Sequence, residues 1–345
     1  MENLSKCLSK GRYNSISEYF AEMRMVSVAV KPHILDIVGS MKKDYPEMDV
    51  DFNYYYEKRI LSKKLLLRPY VFKIFLELYG IEWREHVLMA AIVEIVNIST
   101  YQANLSFDNK EGINTSRNKN NQFISSFFST MKVIESISTC SNYDSEQKYK
   151  ILECIRESLE KIYYGQYIDM NVLTFGNLFL LNSESHFRES YLTRCALIGA
   201  SLVEMIATIV AIIANKSDDK IFSFLKSFSY HFGLAGQVVN DIGDMIGAGK
   251  SYSDKYTDIY NGKLTYPIRE LILGVNSLEF STIIAFLESK GEMTRIKAKT
   301  LEYIIPHIKR IEKELMHLSY LGIDCSQLKA LSRILTQSKY IRDEY

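Results

Sequence analysis

The segment Phe232–Asp244 reads FGLAGQVVNDIGD and carries the residues on which the interpretation of this chain depends. Asp241 and Asp244 stand three residues apart, so in a helix both carboxylates project from the same face. Gln237 lies one further turn back on the same stripe. Proteins bind Mg²⁺ through a few carboxylates together with water and phosphate oxygens, so this stripe suits an ion that bridges the protein to a diphosphate.

The residues around this pair favour a binding site over the alternative of a solvated acidic turn. The preceding residues are apolar and small, which places the carboxylates at the end of a buried helix. Downstream, the segment Asp258–Pro267 reads DIYNGKLTYP, and it follows Lys250 and Lys255. Together with Lys263, these lysines provide cations that can fold back over an anion held by the carboxylates.

The composition indicates one large helical protein. The chain has 345 residues, of which 47% are hydrophobic and 24% are charged, with only 5 prolines and 16 glycines. Apolar residues recur at three- and four-residue spacing, as in the runs 70–80 and 85–98. Since no alternating strand pattern or internal repeat occurs, the sequence predicts an all-α fold, with residues 1–345 in a single domain.

Charge and cysteine usage exclude several classes of protein. The 42 basic and 41 acidic side chains give a formal net charge of +1, so we expect no nucleic-acid partner. The 5 cysteines form no C-x-x-C pair and the 6 histidines show no metal-ligand spacing, which argues against a disulfide or zinc scaffold. The start of the chain is polar, without a signal-peptide pattern, and we expect a cytoplasmic protein.

Three further stretches have a clear reading. The apolar segment 196–214 contains Glu204 and small residues, so we expect a buried bundle helix and no integral membrane span. Two polar stretches, Asn104–Gln122 and Gly247–Lys263, interrupt apolar helices. We predict that both are loops able to cover a site.

The segments 236–244 and 258–267 resemble the second aspartate-rich region of trans-polyprenyl diphosphate synthases, whose pattern is F-Q-x-x-D-D-x-x-D followed by D-x-x-x-G-K-x-T-x-P. Four further elements resemble that family in the same order along the chain. They are Leu67-Arg68-Pro69 (L-R-P), a helix opened by Glu94 (first aspartate-rich region), Gly165-Gln166-Tyr167-Ile168-Asp169 (G-Q-x-x-D) and Arg194-Cys195-Ala196 (K-T-[AG]). The resemblance spans about residues 60–270 and leaves C-terminal helices over 271–345.

This resemblance implies an isoprenoid-synthase helical bundle around a deep central cavity, with Mg²⁺ as cofactor and an allylic prenyl diphosphate as substrate. It assigns catalytic roles to Asp241, Asp244, Arg194 and Lys263. It assigns diphosphate binding to Arg68, Gln237, Lys250, Lys255, Gln166 and Asn97. It assigns metal binding to Asp241, Asp244, Asn240, Asp108 and Asn104.

The chain departs from the family at the first aspartate-rich motif. The pattern D-D-x-x-D is replaced by Asn104-Leu105-Ser106-Phe107-Asp108. Only Asp108 keeps a carboxylate, and a leucine cannot ligate Mg²⁺.

The elements that hold isopentenyl diphosphate in the family are also reduced. The pattern G-G-K-R-L-R-P becomes KKLLLRP over residues 63–69, so two cations become leucines. Asn97 replaces the usual histidine or glutamine, and Arg194 replaces a lysine. Because elongation must hold two mutually repelling diphosphates, these losses favour an enzyme that binds one.

Three functions therefore remain open. The first is a Mg²⁺-dependent enzyme that ionises an allylic prenyl diphosphate and then cyclises it or transfers it to another acceptor. The second is a conventional synthase using isopentenyl diphosphate, with its first motif in another register. The third is a non-catalytic subunit or regulator of a heteromeric synthase, although an intact second region argues against it.

The resemblance also implies the oligomeric state and the size of the substrate. The family suggests a homodimer, or a heterodimer with a complete prenyl synthase. Ser99 and Thr100 lie where the family gates chain length, and their small side chains predict a deep pocket for a prenyl chain of about 15 carbons or more.

Overall fold

The structure is a computed structural model that describes residues 16–46, 65–107, 116–178, 183–217, 219–246, 256–275, 278–289 and 291–336. Within these ranges the regular structure is helical, and the only β-type pairing is the isolated bridge between Thr174 and Lys263. This confirms the predicted all-α fold.

The described residues contain thirteen α-helices, numbered here in chain order. They are α1 (Ile16–Asp44), α2 (Leu67–Leu78), α3 (Val87–Phe107), α4 (Ser116–Thr139), α5 (Ser145–Asn171), α6 (Glu184–Cys195), α7 (Ser201–Ile213), α8 (Lys220–Ile246), α9 (Thr257–Tyr260), α10 (Tyr266–Val275), α11 (Phe280–Leu287), α12 (Glu292–Tyr320) and α13 (Ser326–Thr336). A π-helical segment, Ala196–Ala200, joins α6 to α7 without a break.

The polar stretch Asn104–Gln122, predicted to be a covering loop, is partly helical. The helix α3 continues to Phe107 and α4 begins at Ser116, so much of the stretch 104–122 is helical. Leu105 is fully buried in the last turn of α3, and this apolar contact extends the helix past the first polar residue. The sequence analysis expected this helix to open at Glu94. It begins earlier, at Val87, so Glu94 lies about two turns inside it.

Helix α8 lies at the centre of the bundle, where it packs against α7, α12 and the π segment. Gly199 of the π segment and Gly233 of α8 bring the two backbones into contact. A Cβ added at Gly233 would lie 2.5 Å from the Cα of Ala200, which no side chain can tolerate. The small residues of the stretch FGLAG therefore allow the close approach that sets the distance between α6 and α8.

The segment predicted to be a bundle helix lies inside the fold. The continuous helix Glu184–Ile213 is long and apolar enough to cross a membrane, with a mean hydropathy of 2.3 over its most apolar window, but 61% of that window is buried against other helices. The bent pair α10 and α11 would pass the same test only as one broken span. Burial of this kind is typical of a core helix.

The C-terminal helix α13 is attached to the start of the chain by polar contacts. The ammonium group of Lys73 in α2 lies 2.7 Å from carboxylate oxygens of both Glu22 and Glu77. Gln327 of α13 donates to Glu77 at 2.7 Å. Buried apolar side chains form one continuous cluster from Tyr19 to Leu335, so α13 belongs to the same core as α1.

Candidate active site

A cavity of about 480 Å³ lies between α2, α3, α5, α6, α7, α8 and α13. Nine of the residues predicted from the sequence line it together: Arg68, Asn97, Asn104, Gln166, Arg194, Gln237, Asn240, Asp244 and Lys263. The resemblance therefore selected residues that the fold brings to one place, although they are spread over more than half of the chain.

The cavity has a polar end and an apolar end. Along α8 the lining residues change from Phe232 to Asp244, a rise of about 18 Å along the helix axis. The continuous helix formed by α6 and α7 runs antiparallel to α8. Its lining residues change in the opposite order, from Arg194 to Ile206. The charged ends of the two helices therefore meet, and an apolar space follows behind them.

The polar end is held by buried ion pairs around Arg194. Its Nε atom donates to Oδ1 of Asp169 at 2.8 Å, and its Nη1 atom lies 2.9 Å from Oδ1 and 2.8 Å from Oδ2 of Asp241. Lys263 Nζ lies 2.7 Å from Oδ2 of Asp169. All four side chains are at most 6% exposed, and the two carboxylates balance the two cations. We call these four residues the charged wall.

Two neutral donors complete the environment of Asp241. The hydroxyl of Tyr191 donates to Oδ2 at 2.8 Å, and Gln237 Nε2 donates to Oδ1 at 2.9 Å. Burial, reinforced by the charge of Asp241, raises the pKa of the Tyr191 hydroxyl well above its ordinary value, so it remains a donor. Burial also raises the pKa of the Asp241 carboxyl, although Arg194 and Tyr191 act in the opposite direction.

Local backbone structure explains the position of Lys263. Gly262 adopts a left-handed conformation with φ 65°, which turns the chain after the short helix α9. The backbone then pairs with the residues that follow α5, since Phe175 N donates to Gly262 O and Leu264 N donates to Leu173 O, both at 2.8 Å. Lys263 was expected in a covering loop, but this pairing holds it buried beside Asp169, which α5 carries.

Asp244 and Asn240 form the part of the second aspartate-rich region that faces the cavity. Both line it, whereas Asp241 does not, because its carboxylate is turned toward Arg194 and Tyr191. Asn240 Nδ2 donates to Oδ2 of Asp244 at the long distance of 3.4 Å. The two aspartates thus differ in what they contact.

On helix α3, the described residues with polar side chains that line the cavity are uncharged. We call Asn97, Thr100 and Asn104 of this helix the neutral wall. Asn97 donates to the buried Glu94 at 3.1 Å. Of the two residues expected to gate chain length, Thr100 lines the cavity, while Ser99 is buried and donates to the carbonyl of Val96.

Of the remaining predicted site residues, three lie outside the described residues and Arg68 lies inside them. Asp108, Lys250 and Lys255 lie outside the described residues, as does most of the second predicted covering loop, and their roles remain predictions. Arg68, which the resemblance assigns to diphosphate binding, lies half-buried in the first turn of α2 and lines the cavity.

Three important residues were missed or underused by the sequence analysis. Asp169 was recognised only as the end of a motif, and Tyr191 and Leu335 were not considered. Tyr191 lies one turn before Arg194 on α6, so helical spacing could have indicated it. Leu335 of α13 lines the cavity 3.7 Å from the position of a Cβ added at Gly236, and no local pattern points to this contact.

The residues at the polar end fit a Mg²⁺ ion that would take most of its ligands from the substrate and from water. Mg²⁺ usually takes one or two carboxylates and keeps water and substrate phosphate oxygens as its other ligands. Asp244 offers such a carboxylate, and the amide oxygens of Gln166 and Asn104 are buried without a hydrogen-bond donor in the described structure. No group of three or more His, Cys, Asp or Glu side chains that could hold a metal occurs in that part of the chain.

A sequence model of the polyprenyl synthetase family matches residues 106–304, which is more than half of the chain. The chain therefore belongs to the polyprenyl synthetase family. The match includes Asp169, Arg194, Asp241 and Lys263, while the neutral wall and Arg68 lie upstream of it. No curated protein matches the sequence.

The solved structures of similar fold include prenyl diphosphate synthases. Geranylgeranyl pyrophosphate synthetase from Pyrococcus horikoshii has a TM-score of 0.68 and 17% identity, covering 94% of this chain and 99% of that one. Polyprenyl synthase from Caulobacter crescentus, complexed with calcium and isoprenyl diphosphate, has a TM-score of 0.67 and 16% identity over 95% and 98% of the two chains. Heptaprenyl diphosphate synthase from Staphylococcus aureus has a TM-score of 0.65 and 16% identity over 90% and 97%. At this identity the likeness establishes the isoprenyl-synthase fold.

Proposed function

We propose that the protein binds one allylic prenyl diphosphate in the cavity with Mg²⁺ and ionises it, releasing diphosphate. The observation that carries this proposal is the distribution of polar groups in a single cavity: the polar groups, among them two buried cations and Asp244, gather toward one end, and the lining of α7 and of the preceding part of α8 is apolar. A prenyl diphosphate has the same division, with a polyanion at one end and a hydrocarbon chain at the other.

The chemistry requires the carbon–oxygen bond to the diphosphate to break with both electrons leaving on oxygen. Arg194 and Lys263 lie where they can stabilise that negative charge, and the low polarity of a buried site strengthens the effect. Mg²⁺, held by the diphosphate, Asp244 and Asn240, would supply further charge neutralisation. In the apolar part, the rings of Tyr101 and Phe232 line the cavity and offer aromatic faces to an allylic cation.

The test is incubation of the purified protein with Mg²⁺ and geranyl, farnesyl or geranylgeranyl diphosphate, each with and without isopentenyl diphosphate. We expect Mg²⁺-dependent release of diphosphate from one prenyl diphosphate alone, with a hydrocarbon or alcohol as product. Asp244→Asn serves as the matched variant, since it keeps the shape of the side chain and removes its charge. Absence of release from every substrate would contradict the proposal.

Chain elongation with isopentenyl diphosphate is a second candidate, favoured by the family and by the position of Arg68 in the same cavity. The family pattern places several cations near the second diphosphate, and in this chain two of them are leucines. Longer diphosphates that appear only when isopentenyl diphosphate is added would establish this function in the same experiment.

We further propose a homodimer, formed through an apolar face of α4. Five side chains on this face are between 39% and 58% exposed and carry no charge: Phe123, Ile124, Phe127, Met131 and Ile134. Their three- and four-residue spacing makes one continuous stripe. The same stripe on a second copy, related by a two-fold axis, supplies the apolar partner that such a face requires.

Light scattering after gel filtration tests this face. We expect a dimer for the parent chain and a monomer for Phe127→Asp, with Tyr149→Asp as a control at another exposed ring. A parent chain that is monomeric alone, yet binds a complete prenyl synthase, would instead support a subunit of a heteromer. The cytoplasmic location remains a prediction.

A further inference from the structure

Asp241 is surrounded by hydrogen-bond donors. A carboxylate has about four lone-pair positions. Here Oδ1 receives Arg194 Nη1 and Gln237 Nε2, and Oδ2 receives Arg194 Nη1 and the Tyr191 hydroxyl, all at 2.8–2.9 Å. Three donor groups therefore already surround the Asp241 carboxylate, and each of its two oxygens faces two of them.

A metal ion could reach Asp241 only by displacing these donors. Each displaced group would be left buried without its partner, which is costly, and the guanidinium group of Arg194 would lose half of its charge compensation. Asp241 is 1% exposed and does not line the cavity, whereas Asp244, one turn later on α8, does. The two aspartates of the second region therefore have different environments.

We infer that Asp241 is a positioning residue, which together with Tyr191 holds Arg194 toward the cavity, and that Asp244 is the metal-ligating carboxylate of this helix. The guanidinium group of Arg194 is fixed from two sides, by Asp169 at Nε and by Asp241 at Nη1. Fixing a cation in this way lowers the conformational entropy that it loses when it binds an anion.

The assignment of the metal rests on the proposed function, while the role of Asp241 in holding Arg194 does not. The experiment therefore measures three quantities on Asp241→Asn and Asp244→Asn: the melting temperature, the affinity for inorganic diphosphate without metal, and the Mg²⁺ concentration that half-saturates diphosphate-dependent stabilisation. Both substitutions keep the size of the side chain and remove one charge from the same helix.

The two variants are expected to differ in the melting temperature and in the Mg²⁺ midpoint. Asp241→Asn should lower the melting temperature by about 5–10 °C, since it removes one partner of a buried ion pair. It should also weaken diphosphate binding about tenfold, and leave the Mg²⁺ midpoint within about twofold of the parent value. Asp244→Asn should lower the melting temperature by less than Asp241→Asn does, since Asp244 lines the cavity, and should raise the Mg²⁺ midpoint about tenfold or more.

Tyr191→Phe tests the inference without removing a charge, in case Asp241→Asn does not fold. It should weaken metal-free diphosphate binding by about threefold and leave the Mg²⁺ midpoint unchanged. Tyr303→Phe is the matched control, since Tyr303 is a buried ring of the same aromatic cluster whose hydroxyl contacts the more exposed Glu184 at 2.9 Å. The control should leave both binding measurements unchanged.

Two results would overturn the inference. If Asp241→Asn raises the Mg²⁺ midpoint as much as Asp244→Asn does, Asp241 is a metal ligand. If Tyr191→Phe and Tyr303→Phe behave alike, Tyr191 has no positioning role. If neither Mg²⁺ nor diphosphate stabilises the parent chain, the proposed function and the metal assignment fail together, and the melting temperatures of the two Asn variants still decide the structural role of Asp241.

Discussion

The charged wall and the neutral wall contribute to the lining of the same cavity, and they differ in charge. The charged wall consists of Asp169, Arg194, Asp241 and Lys263, which are buried and paired at 2.7–2.9 Å. The neutral wall offers Asn97, Thr100 and Asn104, whose side chains are amides and a hydroxyl. The described lining therefore offers a bound diphosphate buried cations on one wall and neutral hydrogen-bonding groups on the other, which is the contrast behind the proposal of a single diphosphate.

The largest effect is expected from removing the central cation of the charged wall. Arg194→Leu leaves Asp169 and Asp241 with one cation between them, so the free energy of unfolding should fall by about 3–5 kcal/mol. Diphosphate binding should also be lost. Urea unfolding and calorimetric titration with inorganic diphosphate measure these two quantities.

Arg68→Leu gives the matched comparison, because it removes a half-buried arginine from the same cavity outside the charged wall. We expect it to change the free energy of unfolding by less than about 1 kcal/mol and to leave the binding of one diphosphate in place. Equal losses from the two substitutions would show that the charged wall is not special.

The second prediction concerns the apolar space behind both walls. Leu335→Ala and Leu331→Ala remove the same three carbon atoms from buried leucines of α13, and each should lower the free energy of unfolding by about 2–5 kcal/mol. Only Leu335 lines the cavity. The preferred prenyl diphosphate should therefore become longer, by at most one isoprene unit, in the Leu335 variant alone. An equal shift in chain-length preference in the two variants would show that Leu335 does not limit the length of the apolar space.

The third prediction adds charge to the neutral wall. Asn104→Asp places a second carboxylate in the cavity, so the Mg²⁺ midpoint should fall by roughly threefold to tenfold, while diphosphate binding without metal should weaken. Asn104→Ser is the uncharged control. Leu105→Asp, which the family pattern would also suggest, should instead unfold the chain, because Leu105 is fully buried. An unchanged midpoint in Asn104→Asp would show that the metal lies away from α3.

The smallest predicted effect concerns the pH dependence of stability and comes from a pair of histidines outside both walls. Nδ1 atoms of His231 on α8 and His307 on α12 lie 2.9 Å apart. Burial, with smaller contributions from His231 and Arg188, lowers the pKa of His307 to about 4. Below about pH 6.5 the unfolded chain therefore binds a proton that the folded chain excludes, so stability falls as the pH is lowered toward 4.

His307→Gln should remove part of this dependence. Because the pair is partly exposed, we expect the parent chain to lose about 1 kcal/mol more than the variant between pH 7 and pH 5 in urea unfolding. Identical pH profiles of the two proteins would mean that the histidine pair does not titrate in this range.

The sequence predicted the residues of the cavity better than it predicted their contacts. Motifs located Arg194, Asp244 and Lys263, because helical spacing and the order of elements are local properties. They did not reveal that Asp241 is surrounded by three donor groups, since Tyr191 belongs to no motif and its contact spans 50 residues. Leu335 was missed for the same reason, because its packing against α8 depends on the tertiary fold.

The boundaries between helices and loops were also predicted poorly from the sequence. A polar run suggested a loop from residue 104, but burial of Leu105 extends α3 to Phe107. Lys263, which was expected in a covering loop, lies instead in a bridge beside Asp169, because Gly262 turns the chain back onto the residues that follow α5. In both cases tertiary contacts outweighed local polarity.

The most direct test of the central claim is the number of diphosphates that the cavity holds. Calorimetric titration of the parent chain, in Mg²⁺, with an unreactive thiolo analogue of farnesyl diphosphate should give one site per chain. A following titration with isopentenyl diphosphate should give no further heat of binding. A second site of comparable affinity for isopentenyl diphosphate would contradict the account, because the neutral wall would then be holding a diphosphate of its own.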